Sequence, residues 1–173
     1  MSSLLVGTAA ALLLATLAGC EGSVSERQAE RLVRAYDEGL VSAYRQRSVE
    51  PVKDLVTMKE MKKLIVLIDL KASNRVVLES SLEALAVRSV RLKDPGRLEV
   101  ETEERWRYFD RPLDPGRPPG QVFVADMAMR YEFVRENGRW KMDQGRTLSC
   151  DFIEPKGFAP PPPRSRGHER SPS

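Results

Sequence analysis

The chain has 173 residues, 28 Lys and Arg against 25 Asp and Glu, a formal net charge of +3 and two cysteines. The stretch from Lys156 onward carries that whole excess, in Lys156, Arg164, Arg166 and Arg170 against Glu169, so the remainder is neutral and has no basic stripe to argue for nucleic acid. The roughly 130 residues between Val24 and Ile153 suffice for one domain with a real core and are too few for two typical ones.

From Leu4 to Ala18 the chain holds no charge and is mostly Leu, Ala and Val. That is about half to three quarters of what a helix needs to cross the hydrocarbon core, a length that suits the apolar region of a secretory signal. An ordinary buried helix with a chance cysteine would show periodicity, and this run has none. Leu17-Ala18-Gly19-Cys20 resembles the lipobox of bacterial lipoproteins, in which small residues admit the peptidase and the thiol is acylated. The resemblance implies a signal peptide over residues 1–19, a lipidated Cys20, a tether over 20–24, and a chain anchored to a membrane without spanning it, since two or more acyl chains hold stably. Met1-Ser2-Ser3 bring no Lys or Arg, which a start upstream of Met1 would supply. By resemblance to enterobacterial sorting rules, Glu21 in place of Asp leans towards the outer membrane, on the periplasmic face of the envelope.

Ser25 and Gln28 form a capping-box pair ahead of a helix with Ala29, Leu32, Val33, Tyr36, Leu40, Ala43 and Tyr44 at three- and four-residue spacing. Pro51 suits the first turn of a short helix carrying Val52, Leu55 and Val56. A second capping box, Thr57 with Glu60, opens a helix through MKEMKKLIVLIDLKAS, with Met58, Met61, Ile65 and Ile68 predicted along one packed stripe and Leu64 and Leu67 beside it.

After Asn74 the period changes to two. Leu85 and Val87 alternate and Val90 and Leu92 continue one step out of phase, which predicts a bulge near Arg88 and Ser89 in a bent strand. Asp94-Pro95-Gly96 is a turn, after which Leu98, Val100, Thr102, Glu104, Trp106 and Tyr108 share one side of a strand and charge the other. A Pro/Gly-rich loop follows, then QVFVADMAMRYEFVRENGRWKMDQ, whose Asn137-Gly138 suits a tight type I′ hairpin. That turn sets Arg135 against Trp140, Phe133 against Met142, Tyr131 against Gln144, Val134 against Lys141 and Glu132 against Asp143. Trp140 is expected to pack against the helices, and Cys150 to be a small buried side chain near Leu148, Phe152 and Ile153. The tail over 154–173, with Pro160 to Pro163, cannot bury an apolar face, and reads as a solvated terminus or a polybasic contact with lipid, glycan or a partner.

Helices followed by a bent antiparallel sheet predict an α+β domain over 25–153, the N-terminal helices on one face of the sheet. LEALAVRSVRL, EERWRYFD and RYEFVRENGRWKMDQGRTL resemble the NTF2-like, cystatin-type cone fold, and in particular the intermembrane-space domains of chloroplast-division proteins. This resemblance implies a cone, with dimerisation through the open sheet face as in many such domains. It implies no activity, because the fold hosts isomerases, dehydratases, transport adaptors and inert binding modules.

The alternation places Glu104 among apolar side chains, with Trp106 and Tyr108 near the cone rim, so these three are the candidate pocket residues. Glu104 reads either as an acid raised in pKa by apolar walls, as in isomerase or dehydratase chemistry of the SnoaL or ketosteroid-isomerase type, or as an ion-pair partner of a neighbouring-strand arginine such as Arg130, or as a wet strand end. Asp126 and Asp69 are weaker candidates. The only histidine, His168, sits in the tail, no paired acids are legible, and no metal-ligand cluster, phosphate loop or nucleophile elbow is present, so no catalytic residue and no cofactor are assigned. The expectation is a non-catalytic binding or scaffold module meeting an envelope protein or glycan, with a small-molecule enzyme or carrier as the alternative.

Overall fold

The computed structural model of the protein describes residues 24–155. The expected signal and lipobox with Cys20, and the tail from Lys156, His168 included, lie outside the described residues. Helix α1, Glu26–Gln46, begins at Ser25, whose side chain accepts from the Gln28 amide while the Gln28 side chain accepts from the Ser25 amide, so the capping box closes. Ala29, Val33, Tyr36 and Ala43 are buried along its stripe, and so is Asp37. A 3₁₀ turn, Glu50–Val52, lies against this helix at Gly39, where an added Cβ would stand 2.9 Å from Val52 Cγ1 and 3.3 Å from the Pro51 carbonyl oxygen.

Helix α2, Met58–Ser73, is capped by Thr57, which accepts from the Glu60 amide. The reciprocal half of the expected capping box does not form, because the Glu60 carboxylate turns inward to Tyr36 Oη, at 3.5 Å, and to Lys63 Nζ, at 2.8 Å. The packed stripe is correspondingly rotated from the one predicted: Glu60, Leu64 and Ile68 are buried with Met61 beside them, while Met58, Ile65, Val66, Leu67 and Leu70 are exposed. A helix whose residues 64–68 are apolar without a break contains no phase of its own, so its contacts choose the face.

Four antiparallel strands follow in the order β1-β2-β3-β4: β1 Val76–Asp94, β2 Arg97–Pro112, β3 Phe123–Glu136 and β4 Arg139–Glu154. The expected bulge in β1 is present between Val87 and Ser89, and two more, at Leu82/Ala84 and Leu92/Asp94, add to the bend of this long strand. Asn137 and Gly138 both have positive φ, 51° and 78°, as a type I′ hairpin requires. The register runs as predicted from Glu136↔Arg139 to Phe133↔Met142, and then a bulge shifts it, so that Glu132 faces Gln144 and Tyr131 faces Gly145. Asp143 is the residue thrown out of register. It accepts from Thr57 Oγ1 at 2.9 Å and pairs with Lys59 at 2.6 Å, while Leu55 and Thr57 exchange backbone hydrogen bonds with Met142, so the bulge fastens the start of α2 to the sheet.

Both helices contribute to a core that also holds Leu98, Val100, Tyr131, Phe133 and Met142 from the inner sheet face. The outer face carries crossed ion pairs instead, among them Arg130–Glu101 at 2.7 Å, Arg105–Asp126 at 2.7 Å and Arg107–Glu83 at 2.6 Å. Each such surface pair contributes little to stability, being screened by water, but together they satisfy a wet surface. Towards the far end of β4 the helices no longer cover the sheet, and Gly145–Asp151 is exposed throughout. Cys150 falls there and is exposed, contrary to the expectation of burial, because alternation fixes which way a strand residue points and cannot show where the covering helices stop. No helix among the described residues is long and apolar enough to cross a membrane.

Candidate functional site

Between α1 and the inner face of the sheet lies a cavity of about 470 Å³. Alternation along β2 delivers Glu104, Trp106 and Tyr108 to its wall in that order, so the structure brings all three candidate residues together there. β3 adds Met127, Met129 and Tyr131 opposite them, and α1 supplies Tyr36, Asp37, Leu40 and Tyr44. Tyr108 stacks on Phe123, with ring centroids 5.6 Å apart, and Tyr36 meets Tyr131 edge-on at 6.0 Å. Asp69 lies on the exposed side of α2 and Asp126 is paired with Arg105 on the outer face, so neither reaches the cavity wall.

Glu104 is 3 % exposed. The expected ion pair with Arg130 does not exist: Arg130 points to the opposite face, onto Glu101. Neutral donors meet Glu104 instead, Thr102 Oγ1 at 2.5 Å, Trp106 Nε1 at 2.7 Å and Tyr131 Oη at 2.9 Å and 3.1 Å to its two oxygens. Nor is the strand end wet, since Thr102 and Glu104 are both buried.

The pairing that sequence reasoning missed is with Asp37. This residue is 1 % exposed, and its Oδ1 stands 3.3 Å from the same Tyr131 Oη that serves Glu104. Its Oδ2 is buried without a hydrogen-bond partner. Two carboxyls therefore flank one phenol at the floor of the cavity. A phenol has a single proton to give, so when it donates to Glu104 the Asp37 oxygen nearest it is satisfied only if Asp37 carries a proton itself. Burial, and then the charge of Glu104, push the Asp37 carboxyl up to about 8, against relief from Tyr131 and Arg34. Burial and the adjacent acids likewise hold Tyr36 and Tyr131 well above the usual phenol range, so both phenols keep their protons. At neutral pH the chain Asp37-COOH, Tyr131-OH, Glu104 carries its hydrogen bonds in one direction. The sequence did contain a signal for Asp37: it lies four residues after Val33 and three before Leu40, inside the apolar stripe of α1.

Trp106 is half-buried in the cavity wall. Trp140 is half-buried as well, packed against the core edge beside Leu32 and Val24, with the Arg135 guanidinium 5.9 Å from its ring centroid. Among the described residues no group of three or more His, Cys, Asp or Glu side chains is arranged to hold a metal ion.

No family model matches the chain, and no curated protein matches it in sequence. Solved structures do. The intermembrane space region of the chloroplast protein ARC6 superposes with a TM-score of 0.66 at 21% identity, over 74% of this chain and 99% of that one. A hexachlorocyclohexane dehydrochlorinase, LinA-type3 from Novosphingobium barchaimii LL02, gives 0.48 at 12% identity over 79% and 98%, and a conserved protein from Planctomyces limnophilus DSM 3776 gives 0.46 at 14% over 70% and 99%. Two helices against a curled four-stranded antiparallel sheet, matched over nearly the whole length of the ARC6 region, make this an α+β chain with the NTF2-like cone fold.

Proposed function

We propose that the protein is a lipid-tethered, non-catalytic binding module of the cell envelope, held through acylated Cys20 on the periplasmic face, with the outer membrane as its site, and that its cone is a socket for the apolar part of a ligand. The cone interior carries this reading: a cavity of about 470 Å³ walled by aromatic and aliphatic side chains, in which Glu104 is already engaged by Thr102, Trp106 and Tyr131. Such a volume and lining suit a small apolar guest fixed by few polar groups. The charge-free run ahead of Leu17-Ala18-Gly19-Cys20 supports the tether.

A neutral apolar fluorophore, N-phenyl-1-naphthylamine, tests the socket. Saturable enhancement that Met129→Trp removes, with the fold intact by circular dichroism, is the expected result; enhancement that never saturates, or that survives the filling of the cavity, refutes it. Cys20→Ala in a bacterial host should abolish acyl labelling and leave uncleaved precursor, and unchanged labelling would end the tether. One observation favours the other reading, an acid–base enzyme: a carboxyl titrating at about 8, as Asp37 does, suits proton transfer near neutral pH. Turnover of a cone-bound substrate that Asp37→Asn abolishes without loss of binding would establish it.

A further inference from the structure

The cavity is electrically one-sided. Its charged lining consists of four acids, Asp37, Glu60, Glu104 and Asp110, and one cation, Lys71. Lys71 is held by Asp110 at 2.6 Å, and Glu60 has Lys63 at 2.8 Å, whereas the donors that meet Asp37 and Glu104 are all neutral. A cleft with acids of one sign and low-dielectric walls concentrates a negative potential. The rings of Tyr36, Trp106 and Tyr131 line the same cavity, and aromatic faces attract cations. The buried Asp37 Oδ2 lacks a donor. An acceptor removed from water and left empty costs free energy that an arriving N–H would recover.

Building on the reading of the cone as a ligand socket, we propose that its ligand is an apolar organic cation, a protonated amine on a hydrocarbon or aromatic body, whose ammonium donates to Asp37 Oδ2 within the field of Glu104 while the body lies along Trp106, Met127 and Met129. An unpartnered oxygen on an almost fully buried residue that lines the cavity separates this from a mere cluster of acids. Entry of the ammonium has a proton consequence. Glu104 from β2 and Glu38 from α1 raise the Asp37 carboxyl, Tyr131 from β3 and Arg34 from α1 lower it, and Glu60 of α2 faces Tyr36. The net result is a carboxyl that is largely protonated at pH 7. The incoming ammonium therefore converts Asp37-COOH to carboxylate, the O–H bond breaking with its electron pair left on oxygen and the proton passing to buffer. Amine affinity then rises with pH until Asp37 is ionised in the free protein, and levels off above about 8.

Calorimetry with three isosteric probes, 4-phenylbutylamine, 4-phenylbutanol and 4-phenylbutyrate, in two buffers of different ionisation enthalpy tests this on the purified protein at pH 7. The amine should bind at least about tenfold more tightly than the alcohol, with the acid weakest, and should release close to one proton where the alcohol releases none. Asp37→Asn should bring the amine down to the level of the alcohol and leave alcohol binding in place. Should that variant fail to fold, Glu104→Gln and the pH profile of the unaltered protein replace it, the amine constant rising on the order of fifty-fold from pH 6 to 8 while the alcohol constant stays flat. Alcohol bound as tightly as amine overturns the cation, an amine preference that outlives Asp37→Asn overturns Asp37 as its partner, and either result leaves the socket standing. Failure of all three probes to bind at millimolar concentration removes both.

Discussion

The two helices pack against the same sheet and each buries an acid, but α2 gives its Glu60 a lysine partner and leaves apolar side chains in water. α1 takes a carboxylic acid into the core, Asp37 at 1 % exposed, while α2 turns Val66, at 65 %, and Leu70, at 56 %, out to solvent. An apolar residue on a surface needs no explanation, because folded proteins expose much apolar area, whereas a buried unpaired acid does. The inside of α1 is therefore the informative face. Asp37 stays there because Tyr131 and Glu104 from the sheet meet it and because it can remain neutral; the outside of α2 reflects only where Glu60, Leu64 and Ile68 had to point.

The sharpest way to break this contrast is to place the same charge on both helices. Val33→Asp, at a fully buried position of α1, leaves an uncompensated charge in the core and should cost about 3–5 kcal/mol, enough to abolish the urea transition of a marginal domain. Val66→Asp on α2 should stay within about 0.5 kcal/mol. If the second change proves as damaging as the first, the outer face of α2 is covered in solution and the comparison fails.

The next largest effect is on the pH dependence of stability. The folded state holds the Asp37 proton up to about 8 and the unfolded chain releases it near 3.8, so between those limits the folded state binds more protons and stability falls as pH rises. Carboxylates such as Glu79, Glu101, Asp126 and Asp143, held below their ordinary range mainly by cationic partners, work in the opposite direction, and their loss is confined to acid. The difference between the unaltered protein and Asp37→Asn isolates the one term. The unaltered protein should lose ground steadily from pH 4 to 8, by on the order of a few kcal/mol, and a pH-independent difference in urea midpoint would show that Asp37 is ionised throughout.

How much of this was legible depends on whether a residue's neighbours in sequence are also its neighbours in space. The cap at Ser25, the bulge at Arg88, the Asn137-Gly138 turn and the inward side of β2 are local patterns, and the structure has them. The phase of α2 was not legible, because the unbroken apolar run 64–68 fits several faces equally, and the tie is broken by Tyr36 drawing Glu60 inward from another helix. The Asp143 bulge likewise answers to Thr57 and Lys59, more than eighty residues away. Glu104 could be placed on the inner face from alternation, but its partners could not: Arg130 is adjacent in the sheet and on the wrong side, while Asp37 is remote in sequence and joined only by Tyr131.

Gly39 gives a smaller test on the α1 side. Glycine inside a helix costs roughly 1 kcal/mol relative to alanine, so an isolated helix would gain from Gly39→Ala. Here the new methyl would press on Val52 Cγ1 and on the Pro51 carbonyl oxygen, and the backbone oxygen cannot swing away as a side chain would. The packing loss should exceed the propensity gain, with a net destabilisation of about 1 kcal/mol. A stabilised protein would mean that the 3₁₀ turn is loosely docked.

The smallest effect completes the contrast on α2. Val66 is 65 % exposed, so its side chain earns little from burial, while its β-branch restricts χ1 against the preceding turn of the helix. Val66→Ala should therefore be neutral to slightly stabilising, by a few tenths of a kcal/mol, as helix propensity alone dictates. Core positions on the same helix behave otherwise: Leu64, 2 % exposed, should lose about 2–5 kcal/mol on truncation to alanine through the cavity left behind. Measured side by side by urea unfolding, the pair gives the rotation of α2 about its own axis. Equal losses at 64 and 66 would place the buried stripe between them, turned towards the predicted stripe of Met58, Met61, Ile65 and Ile68, and would remove Glu60 from beside Tyr36.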